Sequence, residues 1–172
     1  MKSIRPVVNL VAIAAIAFGA YYFLFPPAEK VIRKRISKLA EAISARPEGN
    51  IATAANVNRI GSFFHPNVSI TVEGFGTEFG SVQGRGELQQ MAMAARQRIG
   101  SISVDFFNIE VAIGPGKTNA SASATVLVKL GNDNNTVTQQ IQFQFERAGR
   151  DWLIRSANPA ASQNPQNILK PE

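Results

Sequence analysis

The chain has 172 residues, with 18 Lys and Arg against 12 Asp and Glu, one histidine, one tryptophan and no cysteine. That length suits one domain of ordinary size flanked by terminal segments. Without cysteine there is no disulfide framework, thiolate nucleophile, iron–sulfur cluster or Cys-based zinc site, and His65 alone cannot make a multi-histidine centre. Neither a metal nor a cofactor is expected.

The basic surplus is unevenly spread. Lys2, Arg5, Lys30, Arg33, Lys34, Arg35, Lys38 and Arg46 face only Glu29 and Glu41, so the first 46 residues hold the whole net charge of +6. The rest of the chain is neutral and offers no broad phosphate-binding surface, so nucleic acid is not expected as a partner.

Val7–Phe25 is uncharged, and Asn9 is its one strongly polar residue. As a helix, this run of about 19 residues would cover roughly 28 Å, close to the hydrocarbon core of a bilayer. Tyr21 and Tyr22 suit the headgroup region, and Pro26-Pro27 ends the run. A cleaved signal peptide would need a shorter apolar core and a small-x-small site, which Ala17-Phe18-Gly19 fits poorly. Residues 1–27 are therefore expected to be a short tail and a single-pass anchor in a lipid bilayer. Lys2 and Arg5 favour a cytoplasmic start, while Arg33, Lys34, Arg35 and Lys38 argue the reverse and are the expected membrane-surface residues. Short N-terminal tails most often stay inside, which puts the domain on the extracytoplasmic side, periplasmic for a bacterial inner membrane.

A domain is expected over residues 28–157, opening with a basic juxtamembrane helix at 28–46. Ile32, Ile36, Leu39 and Ile43 form its apolar stripe. A second helix is expected from Ile51 to Phe64, closed by His65-Pro66-Asn67. Val68–Glu73 alternates as a strand, a short Glu78–Gln83 strand pairs back on it, and Glu87–Ile99 forms a third helix. Four strands follow, at Ile102–Ile113, Ala120–Leu130, Thr136–Arg147 and Trp152–Ser156. The first changes phase between Phe106 and Phe107, as a β-bulge does. The tail from Asn158 to Glu172 is expected to be mobile. The fold class is α+β: three helices on a strongly bent antiparallel sheet, a cone-shaped roll.

This order resembles the nuclear transport factor 2-like superfamily, including SnoaL-like and ketosteroid-isomerase-like domains with a cystatin-like fold. The local features behind it are Phe63-Phe64-His65-Pro66-Asn67-Val68, Gly84-Arg85-Gly86-Glu87-Leu88, Phe145-Glu146-Arg147 and Asp151-Trp152-Leu153-Ile154. The resemblance implies a cone pocket, here lined by Phe107, Ile109, Ile141, Phe143 and Trp152. It also places the two acids of the isomerases at Gly74 and Ile141, which can neither take a proton nor donate a hydrogen bond to an oxyanion. Single-span relatives occur in type IV secretion assemblies and as lipid-transporter accessory proteins.

Three groups remain as weak catalytic candidates: His65 as a pocket-rim base, Glu73 near the cone mouth, and Asp105, which either faces inward or solvates the sheet. Gly116-Lys117-Thr118 lacks the earlier glycine and following helix of a phosphate loop and is expected to be a hairpin turn. Ser121, Ser123, Thr125, Gln140, Gln142 and Gln144 make an uncharged strand face suited to a second copy or a membrane-complex partner. The expectation is a membrane-anchored, non-catalytic module for protein contact. The alternative is an enzyme or binder for a small apolar molecule in the cone.

Overall fold

The computed structural model describes residues 26–72, 80–99, 101–131 and 136–160. The Val7–Phe25 run, the turn carrying Glu73, Gly74 and Glu78, and the tail past residue 160 lie outside the described residues. Three helices, α1 (Ala28–Ser44), α2 (Asn50–Gly61) and α3 (Arg85–Arg98), accompany six strands. The strands are β1 (Phe64–Val72), β2 (Gly80–Gln83), β3 (Ile102–Ile113), β4 (Asn119–Leu130), β5 (Thr136–Ala148) and β6 (Asp151–Pro159). They form one sheet in the order β2-β1-β6-β5-β4-β3, antiparallel except where β1 runs parallel to β6. Among the described residues no helix is long and apolar enough to cross a membrane.

Helix α1 is amphipathic as its spacing requires. Ile32, Ile36 and Leu39 are sealed, with Ile43 half-buried beside them, while Lys30, Arg33, Lys34 and Lys38 stay exposed. The helix stops at Ala45, which is extended, one residue short of the Arg46-Pro47 step that disfavours helical geometry. Its apolar stripe joins one core with Ala120, Ala122 and Ala124 of β4, Phe143 and Phe145 of β5, and Trp152 and Ile154 of β6. Small side chains on β4 leave the volume that the isoleucines of α1 occupy.

Helix α2 ends at Gly61 rather than at the expected Phe64. A Cβ on Gly61 would sit 2.7 Å from the Nε2 of Gln89 on α3, so a larger residue here would displace that side chain. Phe63 and Phe64 then leave the helix for the core, and β1 begins at Phe64. Pro66 therefore lies within β1 instead of ending α2. With no N–H to donate, it falls where the ladder to β6 is interrupted, between Phe64↔Ile154 and Ser69↔Ser156.

The bulge in β3 lies one step later than the phase count places it. Ile102, Val104 and Phe106 face the core, then Ile109, Val111 and Ile113 do. Phe107 and Asn108 are both exposed, and Asn108 has φ +52°. The pairing steps from Phe107↔Thr125 to Glu110↔Ser123, which leaves one extra residue on β3. β6 also continues to Pro159, past the expected end at Ser156 and past the domain boundary at 157.

The C-terminal end of α1 is a junction for the other elements. Arg96 on α3 donates from Nη2 to the carbonyls of Ala42 (3.2 Å) and Ile43, and to Oδ1 of Asn56 on α2 (3.2 Å). Asn56 Nδ2 donates to the same Ala42 carbonyl at 3.0 Å. Ser44 Oγ accepts from the Val104 N–H at 2.8 Å and donates to the Val104 carbonyl at 3.2 Å, pinning α1 to β3. The last carbonyls of a helix have no partner within it and carry partial negative charge, so a guanidinium there meets both needs. Burial pushes the Arg96 pKa below the ordinary arginine range. Replacing Arg96 by Met keeps the apolar stem and removes the donors. Urea unfolding should show a loss of about 1–3 kcal/mol, and Arg96→Lys should recover part of it; an unchanged midpoint would mean that water serves these carbonyls equally well.

Candidate functional site

The sheet bends farther than α1 can follow. At the end carrying the β3–β4 and β5–β6 turns, α1 fills the concave side. At the other end the same side is open, and two adjoining apolar hollows lie there, of about 330 Å³ and about 500 Å³. The first lies under α3, between Leu88, Met91, Ala92 and Ala95 on the helix and Leu39, Ile60, Phe64 and Phe143 opposite. The second opens between β3, β4, β5 and the end of β6, along Val104, Val126, Val128, Leu130, Val137 and Pro159. Ile43, Ile70, Ile99, Ile102, Phe106, Ile141 and Ala157 border both. Helix α3 has no fully buried residue, because the space beneath it is a hollow rather than side chains.

Polar groups are sparse in these walls. Arg96 borders the first hollow, with its guanidinium committed to the end of α1. Thr71, Gln139 and Asn158 border the second. Gln139 is paired with Val126 and shares the inward face of β5 with Ile141 and Phe143. It was not among the expected site residues, although counting back by two from Ile141 would have put it on that face. Among the described residues no carboxylate or imidazole borders either hollow. Among the described residues these walls can hold an apolar body and offer it two carboxamides, Gln139 and Asn158, and the Thr71 hydroxyl.

Of the residues expected in the pocket, Ile141 and Phe143 line it. Ile141 sits on the third strand of the meander, where the isomerase resemblance puts an acid, and shares its face with Gln139 and Phe143. Trp152 is buried and Ile109 half-buried in the packed core outside the hollows, and Phe107 points out of the opposite face, 40% exposed. His65 sits away from the hollows. Its Nδ1 accepts from the Asn67 N–H at 3.1 Å and meets Arg155 Nη1 at 2.8 Å, so the ring closes the kink around Pro66. Asp105 is exposed on the outer face, paired with Leu127. Glu73 lies outside the described residues. Among those described, no group of three or more His, Cys, Asp or Glu is placed to hold a metal ion.

On the outer face the six expected polar residues come together in register, as Ser121↔Gln144, Ser123↔Gln142 and Thr125↔Gln140. The first pair belongs to a row that crosses all six strands: Ala112, Ser121, Gln144, Ser156, Ser69 and Gln83. None of these is charged. A depression of about 400 Å³ lies over Ser121, Ser123, Gln142 and Gln144, with Glu110 at its side. Phe107 stands next to Thr125, and charged residues surround the row: Asp105, Glu110, Lys129 and Glu146, with Arg155 on β6 beside Ser156.

Arg35, expected at the membrane surface, is instead half-buried in the fold. It donates to the Ser62 carbonyl at 2.8 Å, stacks 5.2 Å from the Phe63 ring centre and pairs with Asp151 at 3.6 Å. Burial lowers its pKa, and Asp151 acts in the other direction. Arg33 is exposed and donates to the Ile109 carbonyl, while Lys34 and Lys38 project freely.

No protein-family model matches this sequence, and no curated protein matches it. Solved structures do. A nuclear transport factor 2-like protein with a cystatin-like fold from Novosphingobium aromaticivorans is 13% identical, with 96% of this chain and 94% of that one covered at a TM-score of 0.60. A protein from the same organism assigned as an aromatic ring hydroxylase is 16% identical, with 76% and 86% covered at a TM-score of 0.62. A protein from Streptomyces avermitilis assigned as a dehydratase of the nuclear transport factor 2-like family is also 16% identical, with 76% and 95% covered at 0.55. Likeness at such identities speaks to fold: the chain has the cystatin-like α+β fold that nuclear transport factor 2-like proteins share.

Proposed function

We propose that this chain is a non-catalytic module, held at a membrane by Val7–Phe25, whose outer sheet face contacts a protein partner or a second copy. The uncharged row across all six strands carries this reading. A solvated sheet face usually mixes Lys, Glu and Arg among its polar residues, and covering those would strip water from charges. Here Ser, Thr and Gln pair across the middle strands without charge, and a half-exposed Phe107 is available as an anchor, as in protein interfaces. The absence of acids and imidazole from the hollows, among the described residues, weighs on the same side. The double substitution Ser123→Lys with Gln142→Lys should abolish association of the detergent-solubilised full chain, measured by light scattering after size exclusion. The melting temperature should stay unchanged; persistence of the assembly would sink this reading.

The apolar hollows favour a second reading, in which the cone holds a small apolar molecule without transforming it. A ligand that binds the native state alone stabilises it by about 2.7 kcal/mol at one hundred times its dissociation constant. A two-ring aromatic hydrocarbon should therefore raise the melting temperature in proportion to log concentration. Ile141→Trp, which fills the wall common to both hollows, should remove that rise. If no apolar probe moves the midpoint, the cone serves packing only.

A further inference from the structure

The proposed anchor fixes more than attachment, because the described chain begins at a defined end of the domain. Arg33 touches the Ile109 carbonyl and Ser44 bonds Val104, so α1 runs antiparallel to β3, with its first residues toward Ile113. Ala28 and Val31 pack with the same core that includes Ile113. Pro26 and Pro27 therefore lie at the end where β3 turns into β4 and β5 into β6. These two turns are side by side, for the Arg147 N–H donates to the Thr118 carbonyl at 2.8 Å. The hollows open at the opposite end, by Leu130, Val137 and Pro159. Along β4 the two ends are roughly 35 Å apart, from its 12 residues at about 3.3 Å each.

The turn end is basic. Lys30 and Lys34 on the first part of α1, Lys117 in the β3–β4 turn, and Arg147 and Arg150 around the β5–β6 turn are all exposed. The acids here are Glu29, Glu146 and Asp151, of which Glu146 lies 3.9 Å from Arg155 and Asp151 3.6 Å from Arg35. Those two acids are answered by cations other than the five lysines and arginines of this end.

We infer that the end of the domain formed by the β3–β4 and β5–β6 turns rests on the bilayer, with Lys30, Lys34, Lys117, Arg147 and Arg150 on anionic lipid headgroups and the mouth of the cone turned away from the membrane. This rests on the proposed anchor and goes beyond it. It replaces Arg35 and Lys38, one engaged in the fold and the other farther along α1, with two turn tips distant in sequence. Cations near an anionic leaflet are drawn to it within about a Debye length, so side chains at this end feel the surface and those at the mouth do not.

The chain has no cysteine, so single cysteines can report position. Thr118→Cys and Thr138→Cys are exposed sites at the two ends. The full chain, carrying a fluorophore at one or the other, is reconstituted into phosphatidylcholine–phosphatidylglycerol vesicles doped with a nickel-chelating headgroup. Quenching is expected at position 118 and absent at position 138. It should fall in vesicles without phosphatidylglycerol, in 1 M salt, and in the triple variant Lys117→Glu, Arg147→Glu, Arg150→Glu. Equal quenching at both sites, or stronger quenching at 138, overturns the orientation while the anchor stands. Quenching at 118 that survives the triple variant overturns the headgroup assignment. Release of the chain from vesicles by alkaline wash removes the anchor and this inference with it. An RNA duplex that binds the solubilised chain through these same side chains, with anionic vesicles failing to engage them, reassigns the surface.

Discussion

The architecture depends on the apolar stripe of α1, which joins Ala120, Ala122 and Ala124 of β4 in one core. With Ala120, Ala122 and Ala124 beneath it, the helix presses Ile32, Ile36 and Leu39 into the concave side at one end of the strands. Toward the other end β4 carries Val126 and Val128, which pack with Val104 against Ala40 and Ile43 near the end of α1. At the other end α3 covers the sheet without burying a residue fully, and the apolar hollows lie beneath it and beside it.

The far end of α1 is where this arrangement is held. Arg96, Asn56 and Ser44 tie three helices and β3 together through four backbone atoms, beside the apolar hollow under α3. Directional bonds there take the part that side-chain interlocking plays at the closed end. Burial of a guanidinium is costly on its own and becomes tolerable because helix-end carbonyls receive it.

Much of this was legible in the sequence. The helical stripe of α1, the short β2, the bulged β3 and the uncharged outer face all follow from periodicity, since side-chain alternation is fixed by backbone geometry. What escaped depends on contacts between distant segments. Pro66 is accommodated in a strand where the ladder to β6 is interrupted, and that is not visible from local propensity. Phe107 moved from the pocket to the outer face because a bulge can be located only to within a residue from phase alone, and one residue reverses the face. Gln139 was hidden by its neighbour: a Gln-Gln pair reads as polar, while one member faces in and the other out. The basic run of α1 was read as a single surface, yet Arg35 turned inward to Asp151, more than a hundred positions away.

Strand β3 lies at a margin of the sheet, and its 12 residues of backbone face no further strand among the described residues. Such a margin is a template on which other chains add by hydrogen bonding, and unlimited addition yields fibres. The kink at Asn108 and the Arg33 guanidinium on the Ile109 carbonyl interrupt that margin near its middle. What is left is two short stretches out of line with each other. Growth by strand addition is thus obstructed on this side.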